Sequence, residues 1–313
     1  MITHVAVTSI PMEECISLDE QICPIKARSY MKQYLPMKPH KWGYKLFVLC
    51  GSSGYAYDFE FYTGNENNSF EKLFYSEPDF GSTGNVVVRL TRSIPINMHY
   101  KLYFDNYYTS IPVMAFLENR RIHTVGTFRA NRFFGVPIDD KSMLKKPRGT
   151  SEEFITVYEN VPITAVGWRD NKIVKVASTY VGEVPTDKHM GGVDMMDSMI
   201  GRYRISIRTK KWYMKCFYHL LNMTLVNSWL IYKKLPGHKL TLAKFKEEVS
   251  VSLCQQYKKP TRGRLSSLEN QLIKKKKRKP TAHIPNVEIR LDGLNHWPHW
   301  STERRQCKKT GMY

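Results

Sequence analysis

Between residues 15 and 63 the chain alternates in the manner of strands. In "CISLDEQI" apolar side chains surround Asp19, "GYKLFVLC" is a short apolar run, and "YAYDFEFY" sets aromatic or Ala residues strictly between polar ones. Gly51-Ser52-Ser53-Gly54 lies between the second and third runs, and its turn chemistry predicts a hairpin. "GNENNSFEK" then reads as loop and "STGNVVVRLTRSI" as a short helix. "HYKLYFDNYYTS" is aromatic and β-prone, its run ending at Asp105-Asn106. "SIPVMAFLENRR" is an amphipathic helix, with Ser110 placed to cap it and Pro112 in its first turn, and "HTVGTFRA" is a further strand.

The order β-β-β-α-β-α-β, antiparallel strands followed by alternation, predicts an α/β domain with a mixed sheet. Residues 131 to 185 interrupt it with Pro, Gly, charges and two β-like runs, "FITVYEN" and "KIVKVASTYV", and read as an inserted β-rich segment. In "DKHMGGVDMMDSMIGRYRI" two glycines break the chain and a helix begins at once, with Asp194 and Asp197 on one face. A long helix follows in "KKWYMKCFYHLLNMTLVNSWLIYKKL"; its apolar residues run almost all round, so burial is expected. Trp42, Trp168, Trp212 and Trp229 are assigned to the core, since nothing in the sequence selects them for stacking on bases. From about residue 258 the chain is basic and Pro-dotted.

Charge narrows the partners. The 313 residues carry 48 Lys and Arg against 28 Asp and Glu, a formal charge of +20, which points to a polyanionic partner. Nucleic acid ranks above a membrane surface, because no apolar stretch approaches the roughly 20 residues needed to span a bilayer and no lipidation motif is present. "MITHVAVTSIPMEE" has neither a basic n-region nor a long apolar h-region, so a secreted product is not expected. The six cysteines (Cys15, Cys23, Cys50, Cys216, Cys254, Cys307) show no C-x-x-C pair, which argues against a disulfide framework or a complete zinc site and for reduced thiols in the cytosol or nucleus.

Three carboxylates stand out by context. Asp19 lies mid-strand between Leu18 and Ile22, Asp105 ends a strand after Leu102 and Phe104, and Asp194 follows Gly-Gly-Val at a helix start. A carboxylate on an apolar strand is costly to bury unless it is paired, hydrogen-bonded or bound to a cation. Neighbouring strands in a mixed sheet can bring Asp19 and Asp105 together, and a packed helix can add Asp194, giving a hard-oxygen cluster suited to Mg²⁺ or Mn²⁺. Two such ions about 4 Å apart support phosphodiester chemistry. From pattern alone the alternatives stay open: Asp194 and Asp197 as helix caps, Asp105 as a strand-ending turn, and Asp19 on a solvent-facing edge strand.

Three blocks carry a resemblance: "SLDEQICPIKARSYMKQYLPMKPHKWGYKLFVL", "YFDNYYTSIPV" and "KHMGGVDMMDSMIGRYRISIRTKKWYMKCFYHLLNMTLVNSWLIY". In order and spacing they resemble the catalytic core of piggyBac-type transposases and the genes domesticated from them, from about residue 14 to residue 250. The resemblance implies an RNase H-like mixed sheet with an Asp-Asp-Asp divalent-metal site. The first aspartate falls on Asp19, the second on Asp105 and the third on Asp194, with Asp197 as a supporting acidic residue. It implies DNA hydrolysis at transposon ends, then attack of a freed 3′-hydroxyl on target DNA, TTAA being the family's characteristic target. Residues 1–13 match a remnant of an N-terminal region, 14–130 the first part of the core, 131–185 the family's insertion, 186–257 the helical completion, and 258–313 a basic linker with a shortened cysteine-rich tail. Only 18 residues precede Asp19, the chain stops six residues after Cys307, and Ala27 stands where many relatives have Gly, so a truncated or domesticated copy is expected. His296, His299 and Cys307 do not make a tetrahedral zinc site alone.

Arg202, Arg204, Arg208, Lys210 and Lys211 are the expected phosphate contacts, against the alternative of a solvated helix surface. Lys274, Lys275, Lys276, Lys277, Arg278 and Lys279 read as a nuclear localisation signal, a phosphate-contacting tail or a solvated linker, and a nuclear protein is expected. The competing functions are a metal-dependent transposase core, a non-catalytic nuclear DNA-binding protein, and an RNase H-like exonuclease or RNase; adjacent Asp19-Glu20, where D-x-E would be needed, weighs against the last. DNA is the expected partner, with no membrane and no small-molecule cofactor, and a homodimer is left open.

Overall fold

A computed structural model describes residues 10–25, 29, 31–36, 38, 40–64, 77–130, 133, 135–182, 190–209, 211–237 and 239–256. Most of the expected loop 64–72, Ala27, Lys210, the run 274–279 and the His296, His299, Cys307 group lie outside these residues. The chain divides into two compact units, Met1–Leu253 and Cys254–Tyr313, and every described strand belongs to the first.

The strands are β1 (Cys15–Pro24), β2 (Lys32–Tyr34), β3 (Trp42–Gly51), β4 (Ala56–Phe61), β5 (Tyr100–Phe104), β6 (Ile122–Thr127), β7 (Ser151–Tyr158), β8 (Val161–Arg169) and β9 (Ile173–Ser178). The helices are α1 (Gly81–Thr91), α2 (Ile111–Asn119), α3 (Asp140–Met143), α4 (Gly192–Arg202), α5 (Trp212–Lys234) and α6 (Leu242–Gln256), the last reaching just past the boundary.

The described strands form a single mixed sheet in the order β2-β3-β1-β5-β6-β9-β8-β7, with β4 also paired to β3. β1, β5 and β6 run parallel at the centre. The parallel step from β5 to β6 uses α2 as its crossover, as parallel neighbours require. The expected hairpin forms between β3 and β4, and Gly54 turns it with φ at +84°. Residues 151–178 form three strands where two β-like runs were expected, the third, β8, being one that the sequence did not announce. β9 pairs antiparallel with β6, so the insertion extends the central sheet. Glu159 and Asn160, both at positive φ, make the tight turn between β7 and β8.

Successive residues of β1 address two helix layers, because strand side chains alternate. Ser17 and Gln21 meet α4 and α5: Gly192 packs on Ser17, and His219 bonds Gln21. Glu20 points to the other layer; it lies opposite Phe47, which in turn pairs with Glu60, the partner of Arg89 on α1. Gly84 brings α1 against Val113 of α2 on that side, where a Cβ would come within 2.9 Å of Val113. Ile16, Leu18, Leu46, Val48, Leu102 and Phe104 are buried between the layers.

Two local expectations are corrected. Ser110 is extended and stands at the start of α2, but its side chain makes no capping hydrogen bond; Pro112 does sit in the first turn. The long helix α5 is buried on one face only, through Cys216, His219, Met223, Val226 and Leu230, while Tyr213 and Phe217 face outward.

Candidate active site

The parallel register sets the first two aspartates side by side. Leu18 pairs with Phe104, so Asp19 and Asp105 are the next positions on adjacent central strands, with backbones roughly 4.8 Å apart. Alternation from Ser17 and Tyr103 puts both on the α4 side of the sheet. The third aspartate arrives with α4. Gly191 precedes this helix with no side-chain cap, so Asp194 and Asp197 do not serve as caps. Gly192 is buried, and a Cβ there would lie 2.4 Å from Ser17 Oγ and 2.5 Å from the Gly51 carbonyl oxygen. Only glycine lets the helix start this close to β1 and β3, and that approach fixes the height of Asp194 over the sheet.

One cation joins the two ends of the sequence. Lys38 Nζ lies 3.7 Å from Asp19 Oδ2 and 3.6 Å from Asp194 Oδ1. A primary ammonium thus stands between two carboxylates at ion-pair distance. Asp105 is engaged differently. Its Oδ1 accepts from the Asn106 backbone N–H at 2.6 Å, from the Asn106 amide at 2.9 Å and from Thr127 Oγ1 at 2.8 Å. Arg129 Nε donates to Asn106 Oδ1 at 2.9 Å, adding a positive group to this rim that the sequence reading did not single out. The structure therefore brings Asp19, Asp194 and Asp197 around Lys38, and puts Asp105 at the same level on the next strand with its carboxylate leaning toward β6. Among the described residues no three His, Cys, Asp or Glu side chains are grouped closely enough to hold a metal ion.

The site's charges are strongly perturbed. Burial pushes the Asp19 carboxyl up to about 7, with Glu20 adding to the rise and Lys38 opposing it. Burial likewise lifts Asp197 to about 6, against Gln21, Lys38 and Arg204. Burial alone would lower the Lys38 ammonium, but Asp19, Asp194 and Asp197 outweigh it and hold it above its ordinary value. Burial would raise Glu20 too, yet Asp19 and Lys45 bring it below the usual range, Lys45 Nζ standing 3.0 Å away. Carboxyls shifted upward in a partly buried cluster make this place a candidate functional site.

The expected phosphate contacts divide. Arg202 is exposed at the end of α4, and Lys211 lies 5.9 Å over the Tyr213 ring. Arg204 and Arg208 line an open cavity of about 900 Å³ beyond the C-terminal end of β1. Its walls include Lys41, Trp42, Tyr218 and His219 and, among the described residues, no carboxylate. The assignment of four tryptophans to the core needs correction here. Trp168 and Trp229 are partly buried, but Trp42 is 52% exposed and Trp212 44%. Aromatic residues count as apolar in a periodicity argument, and that argument cannot tell a ring that packs from one that lies on a surface.

Comparisons with known proteins agree on family. The transposase IS4 model, of the DDE type, matches residues 7–188 and 186–229. The human PiggyBac transposable element-derived protein 3 is 28% identical over 317 aligned residues, covering 92% of this chain and 49% of that protein. The human PiggyBac transposable element-derived protein 2 is 27% identical, covering 71% of this chain and 41% of that protein. The chain thus spans about half the length, or less, of these relatives. A piggyBac transposase solved by cryo-electron microscopy in a synaptic complex with hairpin DNA superposes with a TM-score of 0.67 at 21% identity, over 95% of this chain and 65% of that one. That likeness shows the fold: an RNase H-like α/β core with a mixed sheet.

Proposed function

This chain belongs to the transposase IS4 family, within its piggyBac group, and from that membership we propose that it is a metal-dependent DNA-cleaving and strand-transferring core. The observation that carries the reading is the cation at Lys38, gripped by carboxylates from β1 and α4. Asp19, Asp105 and Asp194 would hold Mg²⁺ or Mn²⁺ at this place. Such an ion polarises a phosphodiester and lowers the pKa of a bound water. The protein's own part is positional. The central strands set Asp19 and Asp105 at one level, Gly192 sets the height of Asp194, and Glu20 with Lys45 anchors the opposite side of β1. Arg129 and the basic residues after α4 supply positive charge for the DNA backbone.

Cleavage of hairpin and nicked DNA in Mn²⁺ tests this reading. Wild type should nick, and Asp19→Asn and Asp105→Asn should each fall to background. No nicking of either substrate with either metal would remove it.

A second reading is a domesticated, non-catalytic DNA-binding protein. The formal charge of +20 favours it, and so does the lean of Asp105 toward Thr127. It expects salt-sensitive binding indifferent to both Asn substitutions. Nuclear residence belongs with either reading, through Lys274–Lys279. Replacing Lys274 to Lys277 with Ala and still seeing full nuclear accumulation would count against that signal.

A further inference from the structure

The cavity past the end of β1 differs from the carboxylate site in every respect that matters for a ligand. It is open, rimmed by cations and walled by rings. Trp42 lies on its wall with half its surface exposed, and two neighbours hold that ring in place. Tyr34, across the β2–β3 ladder, has its ring centroid 4.7 Å away, and Lys32 Nζ sits 5.0 Å from the indole. Beneath the surface the buried Tyr44 ring meets the half-exposed Trp212 edge-on at 5.8 Å, and Trp212 meets Tyr213 at 6.1 Å. Arg208 and Lys41 on the cavity form no ion pair among the described residues.

A buried histidine on the same wall adds polarity. His219 is 2% exposed, and its Nε2 lies 2.8 Å from Gln21 Oε1. Burial, with Arg204 nearby, depresses its pKa to about 4, so the ring is neutral at physiological pH. Because the amide oxygen only accepts, Nε2 carries the hydrogen and donates, which leaves Nδ1 as a lone-pair acceptor. Nδ1 has no partner among the described residues.

Fixed rings beside unpaired cations are what an unstacked nucleobase and its phosphate require: every base has a π-face to stack, and the strand's charge needs neutralising. We infer that this cavity binds an unpaired nucleotide of a DNA strand, its base stacked on Trp42 and its phosphates met by Arg204, Arg208 and Lys41. The inference rests on the DNA reading of the neighbouring site and names where an unpaired stretch is held. Asp19 and Pro24 on the cavity wall stand five residue steps apart along β1, roughly 16 Å at strand rise, so one strand can engage both.

The test is equilibrium binding of a labelled 15-nucleotide single strand and of a blunt duplex of the same sequence, by the full chain in EDTA. Wild type should bind the single strand with quenching of tryptophan fluorescence. Trp42→Ala should weaken that binding by about 5- to 100-fold while changing duplex affinity less than about twofold. Trp42→Phe, which keeps a ring, should restore most of the loss. Arg208→Ala should reduce the salt slope by about 1. Equal loss on both DNAs, no loss on either, no binding of the single strand by wild type, or an acidic peptide competing as well as the strand would overturn the inference. Cleavage and this binding fail separately: Asp105→Asn should abolish nicking and leave single-strand affinity intact. A protein that never nicks but shows the Trp42 dependence would sink the catalytic reading alone.

Discussion

Two helix layers cover the same sheet and treat charge in opposite ways. On the α1 side, charges are matched in pairs. Arg89 holds Glu60 through two nitrogens at 2.8 and 2.7 Å, Arg92 holds Glu77 at 2.7 Å, and Lys45 holds Glu20 at 3.0 Å. On the α4 and α5 side the sums do not close. Three carboxylates share Lys38, and a few residues along β1 cations line a cavity with no acid on its wall among the described residues. Matched pairs hold a fold together and offer a ligand nothing. Segregated charge gathers acids at one place and cations at another, an arrangement that the DNA-cleaving function proposed above would use.

Substitutions can sharpen or break this contrast. The largest stability effect is expected at Gly192, where a methyl group would meet the Gly51 carbonyl. Gly192→Ala should lose about 1–3 kcal/mol in urea unfolding, as overpacking does, and should lose cleavage with it. An unchanged midpoint would mean that α4 can stand off the sheet without cost.

Next comes Asp197, whose folded-state carboxyl stays protonated up to about 6. Because that value is raised above the unfolded one, the native state binds the extra proton at intermediate pH. Its stabilisation is therefore full below the ordinary carboxylate pKa and lost as pH climbs through 6. Asp197→Asn should leave the melting temperature nearly unchanged at pH 4 and raise it at pH 7.5. The same gain at both values would remove the repulsion argued for this layer.

The smallest effect is expected at Lys38, since Asp194 is 72% exposed and half-open pairs contribute little, under about 1 kcal/mol. Lys38→Met should lower the melting temperature slightly in EDTA and enlarge the stabilisation by Mn²⁺, because a competitor for the carboxylates has gone. A Mn²⁺ response identical to wild type would show that the lysine and the metal do not share a site.

The sequence made the frame of this site legible and left its details dark. β1, β3 and β4 were readable because their alternation is clean, and the aspartates fell on a strand, a strand end and a helix start as expected. β8 was hidden by Pro162 near its start and Gly167 inside it, residues that normally argue against an interior strand. β2, three residues long, is too short to leave a period. Lys38 could not have been found: it sits between Pro36 and Pro39 with no repeat to assign it a face, and its role exists only once β1 and α4 are folded against each other. The tryptophans failed for a different reason, since hydropathy scores a ring by its carbon and is blind to the lysine above it.

The attachment of β9 to β6 has a practical corollary for anyone trimming this protein. Residues 151–178 look like an ornament in the linear map, but cutting them away would strip β6 of its neighbour and leave three central parallel strands ending in a bare row of amide and carbonyl groups. Bare rows of that kind recruit whatever extended chain is nearby. A shortened version would be expected to come out of the cell as aggregate, with its carboxylates never assembled.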